Sequence, residues 1–310
     1  MEEAFNYGTT VAVQAAILFV LIFAGYFIGK FKLINRTGVD QLIDVLLYVV
    51  TPVLIVNSFL SVKFSSDTIA DLGISALCAF LTHFVGIAVA FIFCKTKPED
   101  KRAVYRNGII FSNGGFMAIP LVDALAGDYG VFLVSTYIIA LNVLSWVYGV
   151  RLFPGGKNTG RIKAVLNPGT IGVLIGLPLF LFVPGMPKVI TEPISYIADL
   201  NTPIAMFITG FFLIGSDLLS AVRDLRLWAV SLIRLLAIPL AMLFIFKFGF
   251  GLNNELLIAC MVPACAPCAV NNMMFAAKFG GDTALASRMI SFTTILSMIT
   301  MPVILALTKL

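Results

Sequence analysis

The chain carries little charge for its length. Of its 310 residues only 12% are Asp, Glu, Lys or Arg, whereas 60% are hydrophobic, and the mean hydropathy is +1.01. Soluble domains contain about 25% charged and about 45–50% apolar residues, and no polar stretch here exceeds about twenty residues, which is too short for a separate domain. These deficits exclude a soluble protein and predict an all-α polytopic membrane protein in a lipid bilayer.

Residues that build metal and redox sites are also scarce. His83 is the only histidine, and the five cysteines lie in or beside apolar segments, which predicts buried, reduced thiols rather than disulfides. Cys265 and Cys268 have the CxxC spacing, but no second Cys or His pair completes a metal site. Phosphate loops and catalytic carboxylate pairs are absent as well. We therefore expect no metal, no cofactor and no enzymatic activity; a membrane thiol redox enzyme that uses Cys265 and Cys268 is a remote alternative.

Ten apolar segments can cross, or nearly cross, a hydrocarbon core of about 30 Å. They are Val11–Ile28, Leu42–Leu60, Ile69–Phe93, Tyr105–Leu125, Val131–Val150, Pro168–Val183, Ile190–Leu218, Trp228–Phe248, Leu256–Phe279 and Thr283–Leu307. The residues before the first segment include Glu2 and Glu3 but no Lys or Arg. Because a cleaved signal peptide begins with basic residues, we expect the first helix to be retained.

The basic residues predict the orientation of the segments. Sixteen of the 21 Lys and Arg residues fall in one set of alternate loops and four in the other, while Arg234 lies within the eighth segment. Cytoplasmic loops are enriched in Lys and Arg, so the first set is assigned to the cytoplasm and both termini to the outside of the plasma (inner) membrane. Orientation accounts for the net charge of +5, and no nucleic-acid partner is expected.

The ten segments divide into two halves of five. We predict a first repeat at residues 1–150, a cytoplasmic linker at residues 151–166 and a second repeat at residues 167–310. Because each half has an odd number of spans, the halves enter the membrane in opposite directions. Two dipeptides recur at nearly equal offsets, Thr51–Pro52 with Thr202–Pro203 and Gly127–Asp128 with Gly281–Asp282. Inverted repeats are typical of transporters, whose ligand binds near the membrane midplane.

The fourth and ninth segments, which correspond in the two halves, contain helix breakers at mid-depth. The fourth carries Asn113, Gly114, Gly115 and Pro120, and the ninth carries Pro263, Pro267, Asn271 and Asn272. In a helix interior Gly costs about 1 kcal/mol and Pro about 3 kcal/mol. We expect both helices to be broken, although neighbouring helices could instead stabilise a kinked, continuous helix. Either Pro263 or Pro267 could mark the ninth break.

Two breaks at one place would create an anion site. Each break frees N–H groups on one half-helix and carbonyl groups on the other, and each free N-terminus carries about half a positive charge. Two antiparallel helices that cross at their breaks would point both positive ends at a carboxylate, and the carbonyls could hold a cation or donor groups. The predicted substrate-binding residues are Asn113, Gly114, Gly115, Asn271 and Asn272, with Asn57 and Asn142 either lining the cavity or linking helices.

Ionisable residues within the apolar segments are candidates for coupling transport to a proton or a sodium ion. They are Asp44, His83 and Asp199, although His83 could instead be a neutral, hydrogen-bonded interior residue. Arg234 could pair with an aspartate or meet the substrate. Because it lies about six residues into its segment, we expect it to reach the cytoplasmic interface.

Three stretches resemble the auxin efflux carrier family of transporters. They are SNGGFMAIPL (Ser112–Leu121), PACAPCAVNNMMFAAKFGGD (Pro263–Asp282) and TTILSMITMPVIL (Thr293–Leu305), and the resemblance covers essentially the whole chain. It implies the fold of the bile acid:sodium symporter group, with fourth and ninth helices that cross at proline-broken points. Pro120 and Pro267 would mark those points, with Pro263 as an additional candidate.

The resemblance also implies a mechanism and a substrate class. Helices 1, 2, 6 and 7 would form a scaffold, helices 3–5 and 8–10 would form a transport core, and the protein would be a homodimer. The family moves organic anions, which are auxin in plants and small carboxylates such as malate or malonate in some bacterial members. The short cytoplasmic loop is typical of prokaryotic members. We therefore predict a secondary transporter of small organic anions that works by alternating access; a sodium-coupled symporter of a steroid or keto-acid is the alternative.

Overall fold

The computed structural model describes residues 2–63, 65–156, 168–183, 185–214 and 217–309. Most of the predicted linker, residues 157–166, lies outside these ranges. All regular elements of the described chain are helices. This confirms the all-α class expected from the composition.

The described helices follow one another from the N-terminus as fifteen α-helical elements. In the first half they are α1 (Glu2–Lys30), α2 (Arg36–Val45), α3 (Thr51–Ser61), α4 (Ser66–Phe93), α5 (Glu99–Ile110) and α6 (Ile119–Leu144). In the second half they are α7 (Pro168–Phe182), α8 (Lys188–Ala198), α9 (Asn201–Phe212), α10 (Leu218–Arg223), α11 (Leu225–Leu232), α12 (Ile238–Phe244), α13 (Asn254–Cys265), α14 (Asn271–Phe279) and α15 (Thr283–Leu307).

Six continuous stretches of the described chain are long and apolar enough to span a membrane. They are Thr9–Lys30, Arg36–Ser61, Ser66–Phe93, Gly114–Leu152, Leu225–Gly249 and Thr283–Leu307. Gly114–Leu152 has 39 residues and bends at Gly127, whose φ of +58° and ψ of −158° suit only glycine. The chain is therefore a multi-pass membrane protein. Ten spans in two inverted repeats stay a prediction.

Three prolines inside spans each follow a short π-helical segment. The segments are Leu46–Val50 before Pro52, Gly114–Ala118 before Pro120 and Ile233–Ala237 before Pro239. Proline lacks an N–H and clashes with the carbonyl four residues earlier. In all three cases that carbonyl belongs to the wider π turn, which relieves the clash. Pro120 therefore lies within a continuing helix, beyond the interruption of its segment.

The helices pack in two groups. In the first group α1 packs against α9, and α3 packs against α7 and α8. In the second group α6 packs against α4 and α13, and α15 packs against α14. The groups meet where α3 contacts α6 and where α1 contacts α15. A scaffold and a transport core would pack in this way, but the division into moving parts stays a prediction.

Glycines allow the closest approach in the first group. A Cβ atom on Gly210 of α9 would overlap the backbone of Ile22 and Tyr26 in α1, and one on Gly25 would overlap the backbone of Phe207. Small residues at such contacts let membrane helices approach closely enough for extensive van der Waals contact. By contrast, a Cβ on Gly73 of α4 would meet no atom within 4 Å.

We predict that Gly210→Ala destabilises the protein by about 1–3 kcal/mol or more because α1 and α9 are forced apart. The matched control Gly73→Ala should be neutral or slightly stabilising, since alanine favours helix. Thermal unfolding in detergent, followed with a thiol-reactive dye that detects exposure of the five buried cysteines, measures both variants. Equal melting temperatures for the two would contradict the packing described.

Candidate functional site

The helix of the fourth segment is interrupted at Phe111–Asn113, between α5 and the π-helical segment Gly114–Ala118. The helix of the ninth segment is interrupted at Ala266–Val270, between α13 and α14. Pro267 lies in this second interruption, whereas Pro263 lies inside α13. The first interruption therefore ends at Asn113, immediately before Gly114 and Gly115, and the second contains Pro267.

The two interruptions meet and form hydrogen bonds with each other. The N–H of Asn113 donates to the carbonyl of Pro267 at 2.7 Å, and the N–H of Ala269 donates to the carbonyl of Phe111 at 3.0 Å. These bonds pair Ser112 and Cys268 as an isolated antiparallel bridge. Each extended stretch thus satisfies a donor and an acceptor of the other, and these two backbone hydrogen bonds stabilise the crossing.

Arg234 binds the carbonyl groups at the C-terminal ends of both half-helices. Its guanidinium donates to four carbonyl oxygens: Ala266 at 3.1 Å, Ala264 at 3.0 Å, Pro263 at 3.3 Å and Ile109 at 3.3 Å. The side chain is 1% exposed. Each helix C-terminus carries about half a negative charge, so one arginine compensates the two ends that converge on it.

This position corrects the expectation that Arg234 reaches the cytoplasmic interface. Its helical stretch begins at Leu225 rather than at the expected Trp228, which places Arg234 about 14 Å along the span. The free carbonyls, which could hold a cation or donor groups, bind the N–H donors of this cationic side chain.

The N-terminal ends of the other half-helices remain open. The N–H groups of Gly114, Gly115 and Phe116, and those of Val270 and Asn271, have no backbone acceptor among the described residues. Helix N-termini with free N–H groups attract anions. Asn113 precedes the first of these ends; it is 2% exposed, and its Nδ2 has no partner in the described structure.

A cavity of about 710 Å³ adjoins the crossing. Its polar lining includes the predicted binding residues Asn113, Gly115, Asn142 and Asn271. Its apolar lining includes Phe116, Ile138, Leu141 and Trp146. Toward the helix ends it is lined by Arg36, Asp40, Asp44 and Lys278. The cavity therefore runs from the crossing to the end of the bundle that carries Arg36 and Lys278.

Four of the predicted site residues lie away from this cavity. Asn57 Nδ2 donates to Asp128 Oδ1 at 3.4 Å, near the opposite end of the bundle. Asn272 is fully buried, and its Nδ2 donates to the carbonyl of Val104 in α5 at 3.0 Å. His83 is also fully buried, with Nδ1 2.7 Å from the carbonyl of Ala79. Asp199 is exposed at the junction of α8 and α9.

The remaining predicted residues divide between the cavity and its wall. Asp44 lines the cavity and is exposed. Gly114 lies behind the lining, where a Cβ would contact Leu141 at 3.2 Å and Ile138 at 3.4 Å. Sequence reasoning did not single out Thr293 of α15, whose Oγ1 accepts the N–H of Cys268 at 3.2 Å. A threonine in an apolar helix is too common for its sequence to reveal that contact.

The thiols of Cys265 and Cys268 are free and fully buried. Cys268 Sγ contacts Nδ2 of Asn272 at 3.4 Å. This confirms the expectation of reduced, buried cysteines. Both residues belong to the packed wall of the crossing.

Comparison with known proteins shows the family to which the chain belongs. The model of a family described as "Membrane transport protein" matches residues 10–162 and 158–305. The chain belongs to this family, which contains the auxin efflux carriers. An uncharacterized transporter of Methanothermobacter thermautotrophicus is 25% identical over 304 residues, or 95% of this chain and 97% of that protein.

Two plant members of the membrane transport family match a shorter part of the chain. Auxin efflux carrier component 3 of Arabidopsis thaliana is 28% identical over 141 residues, and component 7 is 27% identical over 140 residues. Each match covers 44% of this chain and 22% of the carrier. Family membership makes the chain a membrane transport protein and argues against an enzyme.

We predict that Arg234→Met destabilises this family member by about 3–5 kcal/mol, as expected when a buried charge is removed from its partners. Arg234→Lys should be intermediate, because an ammonium keeps the charge but cannot reach four carbonyls in one plane. Arg226→Met removes an exposed arginine on the preceding helix and is the control. Thermal unfolding measures all three; equal stability of Arg234→Met and Arg226→Met would refute this role.

Proposed function

We propose that this protein is a secondary transporter of small organic anions, chiefly carboxylates, that works by alternating access. One observation carries the proposal: two half-helix N-termini and the amide of Asn113 adjoin a cavity of about 710 Å³, while Arg234 compensates the opposite helix ends. With the C-terminal ends compensated, the field in the cavity is dominated by the positive ends. An anion would be favoured there.

Binding would rely on uncharged groups. Asn113 and Asn271 supply amide donors, and Gly115 lets the backbone N–H approach the ligand. Asn142, across the cavity, would contact the body of the substrate. Charge-assisted hydrogen bonds from neutral donors are worth about 1.5–3 kcal/mol each. Such a site would hold a carboxylate and still release it.

The cavity represents one state of the proposed cycle. It leads to the end of the bundle with Arg36 and Lys278, which the distribution of basic residues assigns to the cytoplasm. Both termini would then be outside the plasma (inner) membrane, and this state would be inward-open. The core helices would move against the scaffold helices to expose the crossing outside. A homodimer, as the resemblance implies, would keep the scaffolds fixed.

The membrane potential can drive this transport without a coupled ion. Moving one net charge through 100 mV is worth about 2.3 kcal/mol, which suffices to expel an anion. The names of the plant relatives, auxin efflux carriers, agree with export of an organic anion. If the protein instead takes up its substrate, a proton or sodium ion would be required, and Asp44 is the coupling candidate that lines the cavity.

We predict that Asn113→Ala lowers substrate affinity about 10–100-fold, the equivalent of one hydrogen bond to a charged group. The measurement is counterflow in proteoliposomes, with a panel of mono- and dicarboxylates at several pH values. Asn254→Ala, an exposed asparagine at the start of α13, is the control and should transport normally. Unchanged affinity in the Asn113→Ala protein would remove this residue from the site.

Replacing external and internal sodium by a large organic cation should leave the flux unchanged, because Arg234 already occupies the carbonyl groups that a sodium ion would need. A flux that falls with sodium would favour the alternative of a sodium-coupled symporter of a steroid or keto-acid. The remote alternative of a thiol redox enzyme would be favoured by two results together. The unmodified protein would show no carboxylate flux, and replacing Cys265 and Cys268 by serine would abolish a redox activity.

A further inference from the structure

Two helices that line the cavity, α3 and α6, continue past their lining residues. Thr51 of α3 and Ile138 of α6 are among its lining residues. On the α-helical rise, Phe59 lies about 12 Å further along α3, and Phe132 about 9 Å further along α6 in the same direction, away from Arg36. The contact between these two phenylalanines therefore lies beyond the cavity lining, on the side away from Arg36.

Three phenylalanine rings meet at this point. The ring centroids of Phe59 and Phe132 are 4.8 Å apart at 71°. Phe180 of α7 lies 6.0 Å from Phe59 and 5.2 Å from Phe132. Phe59 and Phe132 are 0% exposed and Phe180 is 6% exposed. Edge-to-face and tilted packing is the favourable geometry for aromatic rings, and a buried apolar cluster of this size excludes water and ions.

The cluster joins the two packing groups of the fold. Phe59 and Phe180 belong to α3 and α7 of the first group, whereas Phe132 belongs to α6 of the second. A polar contact also crosses the same boundary nearby, the hydrogen bond of 3.4 Å from Asn57 to Asp128. The two ion pairs of the described chain, Arg36–Asp40 and Arg102–Glu99, each lie within one helix. Among the residues that the structure describes, the boundary at this end is thus closed by apolar contacts and this long hydrogen bond, which can separate without breaking a buried ion pair.

We propose that Phe59, Phe132 and Phe180 form a gate that closes the substrate route opposite the cavity's opening, and that α3 and α6 separate at this gate in each transport cycle. The proposal rests on the proposed alternating-access function. Asn57 precedes Phe59 by two residues in α3, and its hydrogen bond to Asp128 holds the gate closed. This role at the gate accounts for the position of Asn57, a polar residue within a membrane span that does not line the cavity.

The first test is a reversible cross-link in proteoliposomes. The pair Phe59→Cys and Phe132→Cys, joined by a short bifunctional thiosulfonate, should lower carboxylate flux at least tenfold, and a reducing agent should restore it.

The control pair is Ser75→Cys and Thr136→Cys, which joins α4 to the same helix α6 inside the second group, where the two hydroxyls are 3.1 Å apart. Both pairs carry Cys260→Ala, because Cys260 contacts Ser75. The control cross-link should change the flux less than twofold. A gate cross-link that leaves the flux within twofold overturns the proposal.

The second test needs no substrate. A single Phe132→Cys variant in sealed vesicles is treated with a membrane-impermeant maleimide on either side. Although residue 132 is as buried as the five native cysteines, the variant should react at least tenfold faster than the unmodified protein, and only from the side of Asp128. Labelling no faster than in the unmodified protein overturns the gate. Labelling without any carboxylate flux would instead refute the proposed substrate class and leave the gate intact.

Discussion

The bonds from Arg234 to the carbonyl groups of the crossing are the interaction on which the rest of the site depends. Two helices that stop inside a membrane leave carbonyl groups without partners, and each such group costs several kcal/mol in an apolar surrounding. Two helix C-termini at one point would also repel each other. A planar guanidinium with five donors can bind several carbonyls at once. In this protein it binds four of them, on both half-helices.

The helix dipoles give the two sides of the crossing opposite polarities, and Arg234 compensates only the negative side. The ends that carry partial negative charge face a buried arginine, whereas the ends that carry partial positive charge lie next to asparagines and a cavity. The antiparallel bridge between Ser112 and Cys268 holds both halves in register. Dipoles fixed by backbone geometry need no counter-ion to stay in place, and they act without reorganising when a ligand arrives. Such an arrangement suits the anion transport proposed for this member of the membrane transport family.

Proline has two different uses in these helices. Pro267 lies in an interruption and offers its carbonyl to Asn113, so it ends a helix. Pro52, Pro120 and Pro239 follow π-helical segments and leave their spans continuous. The local cost of proline in a helix is the same at Pro120 and at Pro267. What differs is the preceding backbone: a wide helical turn before Pro120 relieves the clash, and an extended stretch before Pro267 avoids it.

The amino-acid sequence by itself determined the membrane class, the family, which two helices are interrupted and the presence of Asn113 and Asn271 next to the interruptions. These features follow from composition and from residues that disfavour helix locally, whatever surrounds them. Only the tertiary structure decided that Arg234 serves both half-helices, that Asn57 binds Asp128 and that Asn272 supports α5 from behind the cavity. Those roles depend on which helices become neighbours and on the exact rotation of each. The sequence places the start of this helix three residues too late, at Trp228 instead of Leu225. That error alone put Arg234 near the interface in the expectation, whereas the structure puts it near the centre.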